Sequence, residues 1–290
     1  MKNSEILYLY DAKLSNPNGD PDEENRPRMD YEREVNLVSD LRIKRYIRDY
    51  LMDKGHSLYV QKLDDKPVTA EGRIKALKSS DLDTILDELI DVRMFGATIP
   101  VKKENKSIIG PVQFNWGYSL NKVELLESSI TSHFSAGEGK SQGTIGKDYR
   151  VKYSFIAFSG VLSGKRAENT RLKEEDMILF DKAMKEAIPL QATRSKIGQY
   201  PRLYLRVEYK DNGTILGDMR DYISLEYKES PREIKEVTLN IGELIDNLNR
   251  NSEKIEKIYF YYDSKLILLV NGEKVEFREA FKDFNMVEVE

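Results

Sequence analysis

The chain has 290 residues, 40% hydrophobic and 33% charged, with 46 Lys+Arg against 50 Asp+Glu and a formal net charge of −4. At roughly 150 residues per domain, this length fits one elaborated domain or two modest ones. The absence of cysteine excludes disulfides, thiolate nucleophiles and Cys-ligated metals. Two histidines, His56 and His133, leave little for a multi-His metal site or a Ser-His-Asp triad. The acidic balance argues at first sight against a nucleic-acid binder.

The N-terminus lacks the apolar stretch and cleavage site of a signal peptide. No apolar run approaches the roughly 20 residues of a membrane span. A cytoplasmic protein without membrane contact is expected. Ile6, Tyr8, Tyr10, Ala12 and Leu14 alternate, so the chain opens with a strand. Asn16–Asp30, NPNGDPDEENRPRMD, is rich in turn formers and reads as a long loop. Ser39 is a good N-cap for a helix running to about Lys54. Its residues Ile43, Tyr46, Ile47, Tyr50 and Leu51 share one arc, and Arg42, Lys44, Arg45 and Arg48 share the opposite, basic one.

Residues 55–110 read as an insertion containing a helix from about Asp81 to Met94. Pro111–Leu120 reads as a strand. After the loop Ser135–Lys147, SAGEGKSQGTIGK, comes a strong strand over Tyr149–Leu162. A helix is expected from Glu174 to Ile188, ending at Pro189. The polar stretch Gln191–Tyr200 leads into a strand in which Leu203, Leu205, Val207 and Tyr209 share a face. This order, β-α-insert-β-β-α-β over residues 5–210, is that of ferredoxin-like folds, among them the RNA-recognition fold. Beyond it, Asn240 with Glu243 suggests a capped helix, and Asn271-Gly272 a two-residue hairpin between strands.

Charge is unevenly placed. Residues 211–290 hold 11 basic and 18 acidic side chains, a net −7, so the preceding residues carry +3. Residues 139–173 alone hold 8 basic and 2 acidic side chains, a net +6.

Gly139-Lys140-Ser141 is not a phosphate-binding P-loop, because Phe134 stands where the motif needs glycine and no helix follows. Asp20, Asp22, Glu23 and Glu24 could ligate a divalent cation, but they lack the spacing and terminal Glu of an EF-hand loop, and a solvated turn fits them better. The four cations of the first helix suit phosphate contact or a solvated face. Thr193, Arg194, Ser195, Lys196 and Gln199 suit phosphate, sugar or base-edge contacts, or a surface hairpin.

Five segments in this order carry a resemblance: NPNGDPDEENRPRMD, LVSDLRIKRYIRDYL, MFGATIP, GPVQFNWGYSLN and TRSKIGQYPRL. From about Leu7 to Tyr209 the chain resembles the CRISPR RNA-binding backbone subunit (Cas family seven) of type I CRISPR surveillance complexes (Cascade), most like the type I-B branch. Residues 211–290 match no motif of that family. The resemblance implies an α+β fold: residues 1–210 as an RRM-like palm, residues about 55–110 as helical fingers, residues about 190–200 as a protruding thumb hairpin. Residues 211–290 would be a small acidic α+β extension packed on the palm.

It further implies a non-catalytic subunit of antiviral defence that needs no cofactor or metal. Copies polymerise head to tail along the CRISPR RNA, beside other Cascade subunits. Each thumb reaches over the neighbouring copy's RNA, and the guide is presented for pairing with target DNA. By position, Arg42, Lys44, Arg45 and Arg48, then Asn25, Arg26 and Arg28, then Lys140, Ser141 and Gln142, and finally Arg194, Lys196 and Gln199 would contact that RNA. Two rivals stand beside this reading. One is a metal-dependent endoribonuclease using Asp20, Asp22 or Asp30. The other is an interaction module with no RNA of its own.

Overall fold

The computed structural model describes residues 1–101, 104–135 and 143–290. Its main sheet is built on β1 (Ser4–Ser15), β2 (Val112–Phe114), β3 (Gly117–Ser119), β4 (Gly143–Leu162), β5 (Gln199–Tyr209) and β6 (Ile255–Tyr262). β1 is central and pairs antiparallel with β4 on one side and β5 on the other; Tyr8 lies opposite Phe158 and Tyr204. β2 and β3 both pair antiparallel with the far edge of β4. The expected single strand over Pro111–Leu120 is thus two short ones, broken at Asn115-Trp116.

Two helices, α1 (Asp40–Asp53) and α2 (Glu174–Leu190), cover one face of this sheet. Ile6, Tyr8, Tyr10 and Ala12 of β1 meet Ile43, Ile47, Phe180 and Met184 there, in one buried cluster. Pro189 does not end α2 as expected; the helix runs through it to Leu190. α2 is also pinned by charge. Arg206 donates to both carboxylate oxygens of Asp181 at 2.8 and 2.5 Å, and the Tyr204 hydroxyl donates to the same group at 2.6 Å, all buried.

The opposite face of the sheet is buried as well. Leu7, Leu9, Phe155, Leu203, Leu205 and Val207 form a second core with Leu239, Ile241, Leu244, Leu248 and Ile258. The alternation of β1 therefore does not mark a half-exposed strand: its apolar residues occupy both registers, as a strand covered on both faces requires. Leu14 departs from the pattern; it is exposed and has φ +47.

The C-terminal residues do more than pack on this face. β6 continues the main sheet beside β5, with Leu205 opposite Phe260, and Met286–Glu288 adds a parallel edge. Ser224–Tyr227, Val237–Asn240, Ile267–Val270 and Glu273–Val275 form a separate four-stranded sheet, with the helix Gly242–Arg250. Asn271 (φ +53) and Gly272 (φ +81) form the expected two-residue turn; such turns need positive φ at both positions. Asn240 does not cap that helix as expected. Ile241 holds the N-cap position, and the Asn240 carboxamide accepts from Gly242 N one residue outside it.

The insertion after α1 has its own small core of Ile74, Ile85, Leu86, Leu89, Val92 and Ile99. Its expected single helix is two, Leu82–Glu88 and Ile90–Phe95, separated by Leu89 in an extended conformation (φ −106, ψ 97). Leu89 turns inward there, at 0% exposure. A hairpin of Gly96–Val101 and Glu104–Ile109 completes the insertion. A second hairpin pairs Leu125–Ser135 with the first half of β4. No helix among the described residues is long and apolar enough to cross a membrane.

Candidate nucleic-acid interface

The four cations of α1 do not share one solvent face. Lys44 is buried; its Nζ donates to Asp40 and Gln113, each at 3.0 Å. Arg48 is nearly buried and donates to Asp91 at 2.9 Å. Asp91 also accepts the backbone N–H of Tyr59 and Val60, so Arg48 ties α1 to the insertion. Arg45 is half-exposed and pairs with Asp49 one turn on, at 2.7 Å. Arg42 lies 3.9 Å over the Tyr46 ring, and no described carboxylate pairs with it. The expected basic outer arc is corrected accordingly. The insertion folds back over part of it: Arg45 is exposed, Arg42 and Arg48 are partly covered, and Lys44 is buried.

The loop after β1 is ordered by its own polar side chains. The Asn16 carboxamide donates to Asn25 O at 2.7 Å, and Asn18 Oδ1 accepts from both the N–H and the hydroxyl of Ser39. Glu24 and Asn25 take positive φ (+50 and +62), which turns the chain back on itself. Arg28 donates to Asp20 at 2.7 Å. Arg26 reaches across to β4, lying 4.5 Å over the Tyr149 ring and donating to its hydroxyl at 3.2 Å.

The Gln191–Gln199 stretch is not a protruding hairpin. It is a tight turn in which Lys196 N and Ile197 N both donate to Thr193 O at 2.9 Å. The turn is docked onto the end of β1: Asn16 N donates to Ser195 O and Lys13 N to Gly198 O, each at 2.8 Å. Gly198 (φ +95) permits this approach, since a Cβ there would lie 2.4 Å from Lys13 O. Gln199 is buried, accepting from the Tyr46 hydroxyl and donating to Lys196 O.

These segments meet at a cleft of about 260 Å³ between the Asn16–Asn25 loop, the start of the Tyr149 strand segment and Thr193–Ser195. Arg194 is exposed at its rim and pairs with Asp148 at 2.9 Å. Lys147 stands 3.6 Å from both Glu24 and Glu127. The Tyr149 hydroxyl, then Lys147, holds the Glu24 carboxyl below its usual range. Asn25, Arg26 and Arg194 are therefore brought together from distant sequence positions, while Lys44, Arg48 and Gln199 lie within the packed interior. Lys140, Ser141 and Gln142 fall outside the described residues. Lys147 and Tyr149 were not among the expected site residues; the +6 of residues 139–173 was the signal for Lys147, and Tyr149 was legible only as the start of a strand.

The acidic candidates do not converge. Asp20 holds Arg28, and Asp30 accepts the N–H groups of Glu32 and Arg33 in a turn. Among the described residues no three His, Cys, Asp or Glu side chains are placed to hold a metal ion.

Comparison with known proteins agrees with this architecture. The family profile described as CRISPR-associated protein Cas7 matches residues 2–242. A CRISPR-associated protein Cas7 of Haloferax volcanii is 35% identical, over 95% of this chain and 91% of its own length. Among solved structures, a chain of a CRISPR RNA-guided surveillance complex in a pre-nicking state is similar with TM-score 0.57 at 14% identity, covering 97% of this chain and 98% of that one. A chain of another CRISPR RNA-guided surveillance complex gives TM-score 0.52 at 13% identity, over 89% and 88%. The mixed α+β fold is thus shared with both, and the chain belongs to the CRISPR-associated Cas7 family.

Proposed function

We propose that this protein is a non-catalytic, CRISPR RNA-binding backbone subunit of a Cascade-type surveillance complex, of the type I-B branch and acting in the cytoplasm. Copies line the guide together with other subunits and present it for pairing with target DNA. The observation that carries this reading is that Lys147 and Arg194, from distant parts of the chain, line one open cleft, with Arg26 lying over the ring of Tyr149 in its wall. Cations drawn from separate loops track a phosphate backbone without selecting bases.

The strand order β5-β1-β4 with β2 and β3 at the far edge, all antiparallel, supports an RRM-like palm. The private core of the insertion supports a fingers module over about 55–110. The reach to a neighbouring copy is better served by the strand Leu125–Ser135 than by the docked Gln191–Gln199 turn, because among the described residues that strand pairs only with β4. The endoribonuclease reading is less favoured, since Asp20 is held by Arg28 and, among the described residues, no group of three carboxylates or histidines is placed to hold a metal ion.

The test is to purify the protein with guide RNA and digest it with ribonuclease. Protected lengths should grow by a constant step per added subunit. Failure to bind RNA at low salt overturns the reading. Periodic Mg²⁺-dependent cuts in complementary RNA, lost on Asp20→Asn, would establish the nuclease instead.

A further inference from the structure

One member of the acidic run after β1 reaches out of its own loop. Glu24 (φ +50) and Asn25 (φ +62) are successive non-glycine residues in left-handed backbone, a conformation that L side chains adopt only at a cost. Two contacts hold it: Asn25 N donates to Asp20 O at 2.8 Å, and the Asn16 carboxamide donates to Asn25 O at 2.7 Å. From this turn Glu24 crosses to β4. Its Oε2 accepts from the Tyr149 hydroxyl at 2.7 Å and lies 3.6 Å from Lys147 Nζ. The same hydroxyl accepts from Arg26 at 3.2 Å. Glu24, Lys147 and Tyr149 all line the 260 Å³ cleft; Glu127, as close to Lys147, does not.

Both cations that line this cleft, Lys147 and Arg194, thus meet a carboxylate of the protein itself. The two carboxylates differ in kind. Asp148 is 11% exposed and shared between Arg150 at 2.8 Å and Arg194 at 2.9 Å, so it belongs to the packed framework. The Glu24 side chain is 63% exposed and that of Lys147 50%, so water competes with their pairing and holds it weak. A carboxylate oxygen placed on a hydroxyl and an ammonium does what a phosphate oxygen would do there.

We infer that Glu24 is an internal competitor for the cleft: in the free protein its carboxylate takes the place on Lys147 and the Tyr149 hydroxyl that an incoming strand's anionic backbone must win, and it swings out into solvent as the strand enters. The inference rests on the RNA-binding reading above. The exchange makes and breaks no covalent bond and moves no proton. Each copy's affinity is then a difference between two pairings rather than a sum over its cations. Where several copies line one strand, the competition occurs once per copy and its effects multiply.

The test is filter binding of guide RNA to the full chain at low and moderate salt, using Glu24→Gln. This variant keeps an oxygen to accept from Tyr149 and removes only the charge. It should bind about fivefold tighter per bound copy at low salt, and the gain should shrink as salt screens the pair. In a Lys147→Gln background the same change should gain nothing. Glu256→Gln removes an exposed carboxylate at the other end of the sheet, beside Ile255 opposite Tyr209, and should leave affinity as in wild type. A gain that persists without Lys147, or that Glu256→Gln matches, is an effect of net charge and overturns the inference. Unchanged or weaker binding by Glu24→Gln overturns it as well, while leaving RNA binding intact. No RNA binding by the wild type overturns the underlying reading instead.

Discussion

Arg93 of the insertion and Asp176 in the first turn of α2 form a buried two-point ion pair, Nε to Oδ2 at 2.7 Å and Nη2 to Oδ1 at 2.8 Å. Arg93 also donates to the carbonyls of Leu86 and Asp87, closing the C-terminal turn of the preceding helix. The pair joins a module with its own core to the main body. Arg93→Ala would strand a buried carboxylate, so a loss of about 3–5 kcal/mol in stability is expected by urea unfolding. Replacing both partners with leucine should cost much less. Equal losses in the single and double variants would show that the pair is not what joins the two parts.

The ion pairs of α1 divide its cations into two classes with different signatures. Arg48→Ala should lower stability by about 3 kcal/mol, by exposing Asp91 to an unmatched environment. At a salt concentration where the variant is folded, its log–log slope of RNA affinity against salt should equal that of wild type. Arg42→Ala and Arg194→Ala should each reduce the slope by about one with little loss of stability. Filter binding from low to moderate salt, with thermal melts alongside, separates the two classes.

Gly198→Ala places a methyl group against Lys13 O and requires an L side chain at φ +95. A stability loss of about 1–2 kcal/mol is expected from backbone conformation alone. The larger effect should be on RNA affinity, since the docked turn positions Arg194 and Lys196 together. Wild-type affinity in a folded Gly198→Ala protein would show that docking of the turn is irrelevant to the interface.

Lys196 also predicts a pH dependence of stability in the RNA-free protein. Its folded value is lowered to about 7, whereas an unfolded lysine titrates near 10.4. Between these values the unfolded chain binds more protons than the folded one, so stability rises with pH from 7 towards 10 and falls as pH returns to 7. The gap between wild type and Lys196→Met should therefore shift in favour of wild type over that window, by up to about 1.4 kcal/mol per pH unit. Below about pH 7 the gap should be flat. Denaturant midpoints at four or five pH values measure it.

What the sequence made legible was local. The spacing of Ile43, Ile47 and Leu51 places α1 correctly, and Asn271-Gly272 forms the turn its dipeptide implies. What it could not show was long-range. A helical wheel divides α1 into two arcs, but it cannot reveal that Asp91, 43 positions later, folds back onto Arg48. Whether Gln191–Gln199 extends or docks depends on Gly198 meeting Lys13, a pairing that composition does not record. The Ile255–Tyr262 segment was readable as a strand, yet its place beside β5 is a tertiary fact. The cleft likewise joins Asn25, Lys147 and Arg194 from three parts of the chain, so no local motif announces it.

The second core has a further consequence. RNA-recognition sheets that read sequence do so by laying bases flat on aromatic side chains of an open sheet face. Here that face is roofed by Leu239, Ile241, Leu244 and Leu248, so no nucleobase can lie on Phe155 or Leu203. That platform is therefore closed to a bound strand. The roof over the second face thus removes the surface on which an open sheet of this kind tells one base from another.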